Sequence, residues 1–371
     1  MFLKDFWFLC CLVWEREKIV KGGGNVRNRE ISFVNVVLCL LVMWIHICST
    51  VIAGADKGSL LFGVIYIPWR LSAFVVQGFL FLSALKFFRG MEHRPFSYPS
   101  FLWSRCKKIA FPYLCAVILS YIGLIILEYY TFDMRFLCKS FLLGDMIAPF
   151  YFVVILFQFY ILMPLWRWMV QHVDFWIAAV ASVLLMRLFH EGLPAMISLI
   201  SPDTAFLYND RVFTSYLAYW VLGCYAGKQY DTFLESIQHN QYILLLGFFV
   251  FVCADALLSY GGVRGWFVVP FLEDIHTLYV CGAIVFVFWL AQKTAQVVMQ
   301  WRIIQAIDGF SYELYLYHGI WLYFVQDRIL PAWGIIEPKW EFLLRMILCY
   351  GLAIIVSMLV WQYRKRRKTN K

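Results

Sequence analysis

The chain has 371 residues, of which 63% are apolar, 20% aromatic and only 15% charged. Soluble domains carry about a quarter charged and about half apolar residues, so a water-soluble globule is excluded and the bilayer must act as solvent. The net charge of +9 lies in clusters beside apolar runs; this sets topology and attracts lipid headgroups, and argues against nucleic-acid binding.

Residues 1–30 read as a cytoplasmic or interfacial N-terminal extension. The apolar stretch from Phe6 to Trp14 is too short to span a bilayer, and no small-residue cleavage site follows it. Gly22, Gly23 and Gly24 then interrupt any helix. From there the apolar runs are long and continuous, not alternating, which selects helices over a barrel. The predicted fold is all-α, a polytopic transmembrane helix bundle. Its ten spans are 31–53, 69–88, 109–128, 148–168, 173–190, 213–230, 241–260, 275–293, 309–326 and 342–363.

A cytoplasmic start places about 22 of the basic residues inside and about 9 outside, with Arg345 left in the last span. Both termini are therefore expected in the cytoplasm, the C-terminal one as a basic tail, 364–371. No predicted loop is long enough for a separate soluble domain. Any active site must be built from the helices and their short connections.

Two histidines lie well inside predicted spans, away from their ends: His46 in the first and His318 in the ninth. An imidazole in hydrocarbon is costly unless it faces a protein interior or a wet cavity, and it carries a proton near neutral pH. His46 is read as a general base or as a packed structural histidine. Asn35 lies eleven residues earlier, about three turns, so it shares a face with His46 about 16 Å away along the axis.

Several other polar residues leave two readings open. Ser311, Tyr315 and His318 fall at i, i+4 and i+7, a stripe that either orients a substrate and stabilises an oxyanion or bonds helices together. Arg70 opens the second span, as an interfacial arginine or a partner for an acidic substrate group. Asp255 and Arg345 either pair within the bundle, face a cavity or lie near a membrane end. Eleven cysteines show no ligand spacing, and those in apolar runs (Cys39, Cys115, Cys253, Cys281, Cys349) read as packing residues. His190-Glu191 lacks the second histidine of a zinc motif, so no metal is expected.

The first-span spacing from Asn35 to His46 resembles that of the acyltransferase-3 integral membrane acyltransferases, in which a basic residue precedes the histidine; here Asn35 takes that place. Further similarity lies in Gln77-Gly78-Phe79-Leu80, in Arg105 to Tyr113, in Phe150-Tyr151-Phe152, in Trp220 to Gly223, and in the run Gly309-Phe310-Ser311-Tyr312 to His318. The resemblance covers about residues 31–363. It implies transfer of an acyl group, commonly acetyl, from acetyl-CoA or another acyl-CoA to a hydroxyl of a cell-surface polysaccharide or lipid-linked saccharide in a bacterial plasma membrane. His46 and His318 would then be catalytic. Asn35, Arg70, Arg105, Lys108, Tyr151, Ser311 and Tyr315 would be substrate-binding, with Arg105, Lys107 and Lys108 either on the CoA phosphates or anchoring topology. The alternatives are an exporter of such saccharides and a catalytically inactive relative, the latter because of Asn35.

Overall fold

A computed structural model describes residues 28–91, 95–201, 206–334 and 338–369. The expected extension falls almost wholly on residues outside these, and the side chains of the basic tail also lie outside the description. Among the described residues the chain is helical throughout, with no strand.

Seven helical stretches are long and apolar enough to cross a membrane: Arg29–Gly54, Leu60–Phe88, Tyr98–Ile126, Phe175–Ile200, Gln241–Val263, Leu272–Val298 and Lys339–Tyr363. Met134–Leu143 and Ala148–Ile161, bent by 52°, make an eighth if the two halves count as one span. The expectation of ten included two segments that differ in form. Residues 213–230 fold as 3₁₀ turns followed by a helix of only 12 residues, Leu217–Lys228. Residues 309–326 belong to a helix that starts earlier, at Arg302, and its first turns bring in Asp308.

The chain divides into two compact units. The first consists of Ser83–Tyr230. It holds α4 (Tyr98–Arg105), a π-helical turn (Cys106–Ala110), α5 (Phe111–Ile126), α6 (Met134–Leu143), α7 (Tyr151–Ile161), α8 (Met163–His172), α9 (Phe175–Ile200) and α10 (Leu217–Lys228). Capping carboxylates start α6 and α9: Asp133 accepts from Arg135 N and Phe136 N, and Asp174 from Trp176 N. Gly144 ends α6 at φ +68, and a Cβ there would lie 2.6 Å from the Tyr151 Cα, so only glycine fits. The predicted fourth span breaks at Leu162 into α7 and α8, just before Pro164, whose ring cannot continue the preceding turn. The fifth runs on past Arg187 to Ile200, where Arg187 and Glu191 pair at 3.0 Å one turn apart. The core is aromatic, with Phe159 and Trp220 stacked at 4.4 Å.

The second unit consists of Arg27–Leu82 and Asp231–Lys371. It contains α1 (Arg29–Gly54), α2 (Leu60–Ser72) and the start of α3 (Val75–Phe88), which continues into the first unit. After α11 (Tyr230–His239) come α12 (Gln241–Val263), α13 (Leu272–Val298), α14 (Arg302–Phe324), a second π-helical turn (Val325–Ile329) and α15 (Pro338–Thr369). Asn28 caps α1 by accepting from Ile31 N at 2.8 Å. Gly78 lets α3 approach α1, since a Cβ there would stand 2.8 Å from the Leu38 Cδ2. α14 kinks at Phe310 (φ −115, ψ 19), beside Gly309, whose missing side chain admits the Trp361 indole of α15. Around α1 the apolar core joins Ile47, Leu322, Val325, Leu330 and Cys349.

Of the cysteines read as packing residues, Cys39, Cys115 and Cys349 are buried, whereas Cys281 is half-buried and Cys253 is exposed.

Candidate functional site

α1 and α14 run parallel, and their polar residues meet at two levels. At the first, the Asn35 amide donates to Asp308 Oδ1 and to Ser311 Oγ, both at 2.9 Å. Ser311 donates in turn to the Asp308 carbonyl at 3.2 Å, and the Cys39 thiol reaches the Ser311 carbonyl at 3.4 Å. This cluster sits on the α14 kink, where regular helical bonding is interrupted and side-chain donors are most useful.

At the second level the rings of His46 and His318 lie 5.3 Å apart, centroid to centroid, inclined by 34°. The spacings explain the match: eleven residues separate Asn35 from His46 and ten separate Asp308 from His318, about 15–16 Å of helix on each side. His318 is buried, and its Nδ1 faces the Tyr315 carbonyl at 2.8 Å and the Leu314 carbonyl at 3.2 Å. A carbonyl partner fixes the tautomer with hydrogen on Nδ1, leaving the Nε2 lone pair as an acceptor. That Nε2 is buried with no hydrogen-bond partner among the described residues. His46 is half-buried. Tyr315 completes the stripe, its ring 6.1 Å from His318 and 6.2 Å from Phe79.

Other predicted residues stand elsewhere. Arg70 meets a buried carboxylate: its Nε and Nη2 donate to Asp255 at 3.2 and 3.1 Å, and Nη2 also reaches Glu273 at 3.4 Å. His276 Nδ1 lies 3.1 Å from both Asp255 oxygens, so three helices (α2, α12 and α13) share one carboxylate. Arg345 on α15 bonds the Thr50 hydroxyl of α1 and Glu341 on its own helix.

Arg105, Lys108 and Tyr151 belong to the first unit. Arg105 packs its guanidinium over Phe101 and Tyr160 at 5.1 and 5.5 Å, a cation–π arrangement. Lys107 and Lys108 follow on the π-helical turn, and Lys107 lies 4.8 Å over Trp103. The Tyr151 side chain hydrogen-bonds that of Tyr216. Among the described residues no three of His, Cys, Asp and Glu gather as a metal site.

Asp308 and the Asp255–His276 contact did not enter the predicted site. Asp308 lies one residue before the predicted ninth span. An acidic residue at the rim of a polar-striped helix is the signal that identifies it. His276 stands at the edge of the eighth predicted span, and its register against Asp255 is a tertiary fact.

Apolar helices around internal polar contacts define a multi-pass membrane protein with a polar site inside a helical unit. Comparison with known proteins gives the family: the acyltransferase-3 model, an acyltransferase domain, matches residues 28–362, and the chain belongs to that family. Among its relatives is the "probable poly-beta-1,6-N-acetyl-D-glucosamine export protein" of Staphylococcus aureus strain N315, 22% identical over 351 residues, covering 90% of this chain and 93% of that one. Another is the "putative membrane-bound acyltransferase YfiQ" of Bacillus subtilis strain 168, 25% identical over 309 residues, 79% of this chain and 81% of that one. No solved structure matches the chain.

Proposed function

We propose that the protein transfers an acyl group, acetyl in the first instance, from acyl-CoA to a hydroxyl of a cell-surface polysaccharide or lipid-linked saccharide. The proposed setting is a bacterial plasma membrane, with both chain ends in the cytoplasm. The observation that carries this reading is the meeting of His46 and His318 in the second unit. Their separation in sequence is 272 residues, and two costly imidazoles converging within helices are better explained by chemistry than by packing.

A sugar hydroxyl is a poor nucleophile, so a base must take its proton as it attacks. In the proposed step His46 receives that proton while the hydroxyl oxygen bonds the thioester carbonyl carbon. The carbon–sulfur bond breaks, and the proton passes to the departing CoA thiolate. His318, oriented by its backbone contacts, offers a second lone pair to the hydroxyl or to the protonated partner ring. Asn35, Ser311 and Asp308 fix the helix pair below it. Arg105 and Lys108 are the proposed contacts for the CoA phosphates, and Tyr151 for substrate. Arg70 already faces two carboxylates, which favours a structural place for it over pairing with an acidic acceptor.

The test is the acetyl-ester content of the host's surface glycan with wild-type protein and with His46→Ala at equal protein level. Loss of the ester is expected, and unchanged acetylation counts against the reading. A carrier function is the second reading, favoured by the name of the staphylococcal relatives, an export protein. Unexported polymer retained in the cell would favour it, whereas ester loss on polymer of normal length favours the enzyme. Asn35 also keeps an inactive relative in view, and a gain of transfer in Asn35→Arg would support that third reading.

A further inference from the structure

The second unit holds another polar centre that the acyl-transfer step does not use. Asp255 is fully buried, and His276 is 7% exposed. The His276 Nδ1 lies on the carboxylate at 3.1 Å, with Arg70 on the same carboxylate from the other side. An Arg–Asp pair alone would suffice to tie α2 to α12. The added imidazole is oriented by a carboxylate, an arrangement that puts the hydrogen on Nδ1 and leaves Nε2 as an acceptor. No hydrogen bond to that Nε2 occurs among the described residues, and it is not among the wholly enclosed unpaired atoms.

From this centre a run of aromatic rings leads to the end of the unit where α2 begins and α12 ends. Tyr66, one turn from Arg70, lies 6.3 Å from Tyr260, and Tyr260 lies 5.6 Å from Trp266 at right angles. Burial falls along the run: Tyr66 is buried, Tyr260 half-buried and Trp266 62% exposed. Arg264 covers Tyr260 and Trp266 at 5.8 and 5.5 Å and also bonds the Lys57 carbonyl, which holds the outermost rings in place. The His46 level lies toward the same end, since Trp69, beside Arg70, donates to Ser49 one turn beyond His46 at 2.9 Å. The basic-residue bias predicts that this end faces outward.

Ring faces combined with a few oriented polar groups are the chemistry that holds a ligand of apolar faces and many hydroxyls. We infer that this end of the second unit is a saccharide subsite, in which His276 Nε2 accepts a hydrogen bond from a sugar hydroxyl and Tyr260 and Trp266 carry the ring face. The inference rests on the acyl-transfer reading and names where the acceptor is held while another of its hydroxyls reacts. Arg70 and Asp255 are positioning residues that act through His276.

His276→Asn separates binding from structure, because the asparagine amide keeps an N–H near Nδ1 for Asp255 but has no counterpart of Nε2. Trp266→Ala removes an exposed ring with little packing to lose. The full chain is reconstituted in nanodiscs, open on both faces, with ¹⁴C-acetyl-CoA and alkali-treated host polysaccharide, stripped of its esters, as acceptor. Initial rates of ester formation are measured over a range of polysaccharide and of acetyl-CoA concentrations. The KM for polysaccharide is expected to rise about tenfold in His276→Asn and several-fold in Trp266→Ala, with the KM for acetyl-CoA unchanged. An unchanged KM for polysaccharide in both variants overturns the subsite, as does a loss confined to kcat with both KM values at wild type. His46→Ala run alongside keeps the two proposals apart: wild-type turnover in that variant defeats the acyl-transfer reading itself, whatever His276→Asn does.

Discussion

The two polar levels between α1 and α14 are built from similar materials and treat them differently. At Asn35, Asp308 and Ser311 the groups bond to one another across the helices. At His46 and His318 the rings meet without a hydrogen bond between them, and the inner ring keeps a buried lone pair with no partner. Intramembrane polar residues thus meet in two ways here, one joining helices and the other leaving a ring nitrogen unbonded. Arg70, Asp255 and His276 combine both, with a carboxylate fully engaged and one imidazole nitrogen left over.

The sharpest way to break this contrast is His46→Ala. Loss of a general base costs about 10²–10⁴ in rate, so acyl transfer should fall by at least about a hundredfold while detergent thermal stability stays near wild type. A large drop in stability instead would make His46 a packing residue. Asp255→Ala should do the reverse. It leaves half-buried Arg70 with Glu273 alone and takes the carboxylate from buried His276, and breaking a buried pair costs roughly 3–5 kcal/mol. The expected outcome is a markedly lowered thermal midpoint, with Arg70→Leu in the same chain recovering part of the loss. A midpoint equal to wild type would show the network to be dispensable.

Asn35→Ala is expected to be milder. Interhelical hydrogen bonds in membrane proteins are worth about 0.6–2 kcal/mol, so unfolding should shift modestly, and transfer should fall far less than in His46→Ala. Equal losses in the two variants would erase the distinction between the levels. The smallest effect belongs to Gly309→Ala: its Cβ would stand 3.2 Å from the Trp361 Nε1, so the indole must give by a few tenths of an ångström. A cost of about 1 kcal/mol is expected, read as a small decrease in thermal midpoint.

The all-helical membrane class was legible in the sequence because hydropathy reports solvent directly. So were His46, His318, Asn35 and Ser311: an uncharged run makes rare polar residues conspicuous, and helical spacing tells which share a face. What stayed hidden depends on how separate helices align. Asp255, buried in α12, shows nothing in its own segment of Arg70 or of His276 in α13, which come together only when three helices pack. Span boundaries were less legible for a local reason. Continuous apolar composition does not record the bend at Leu162 or the 3₁₀ turns before Leu217, because broken helices are as greasy as straight ones.

The equal pitch of the two contact levels constrains motion. Fixings about 15 Å apart along parallel rods resist sliding, since moving either helix by one turn would pull the amide from its partners and separate the imidazoles together. The α1–α14 pair is therefore a fixed rail. On the acyl-transfer reading, a thioester arm or a sugar chain would be admitted by the helices beside it, with the two imidazoles kept in register.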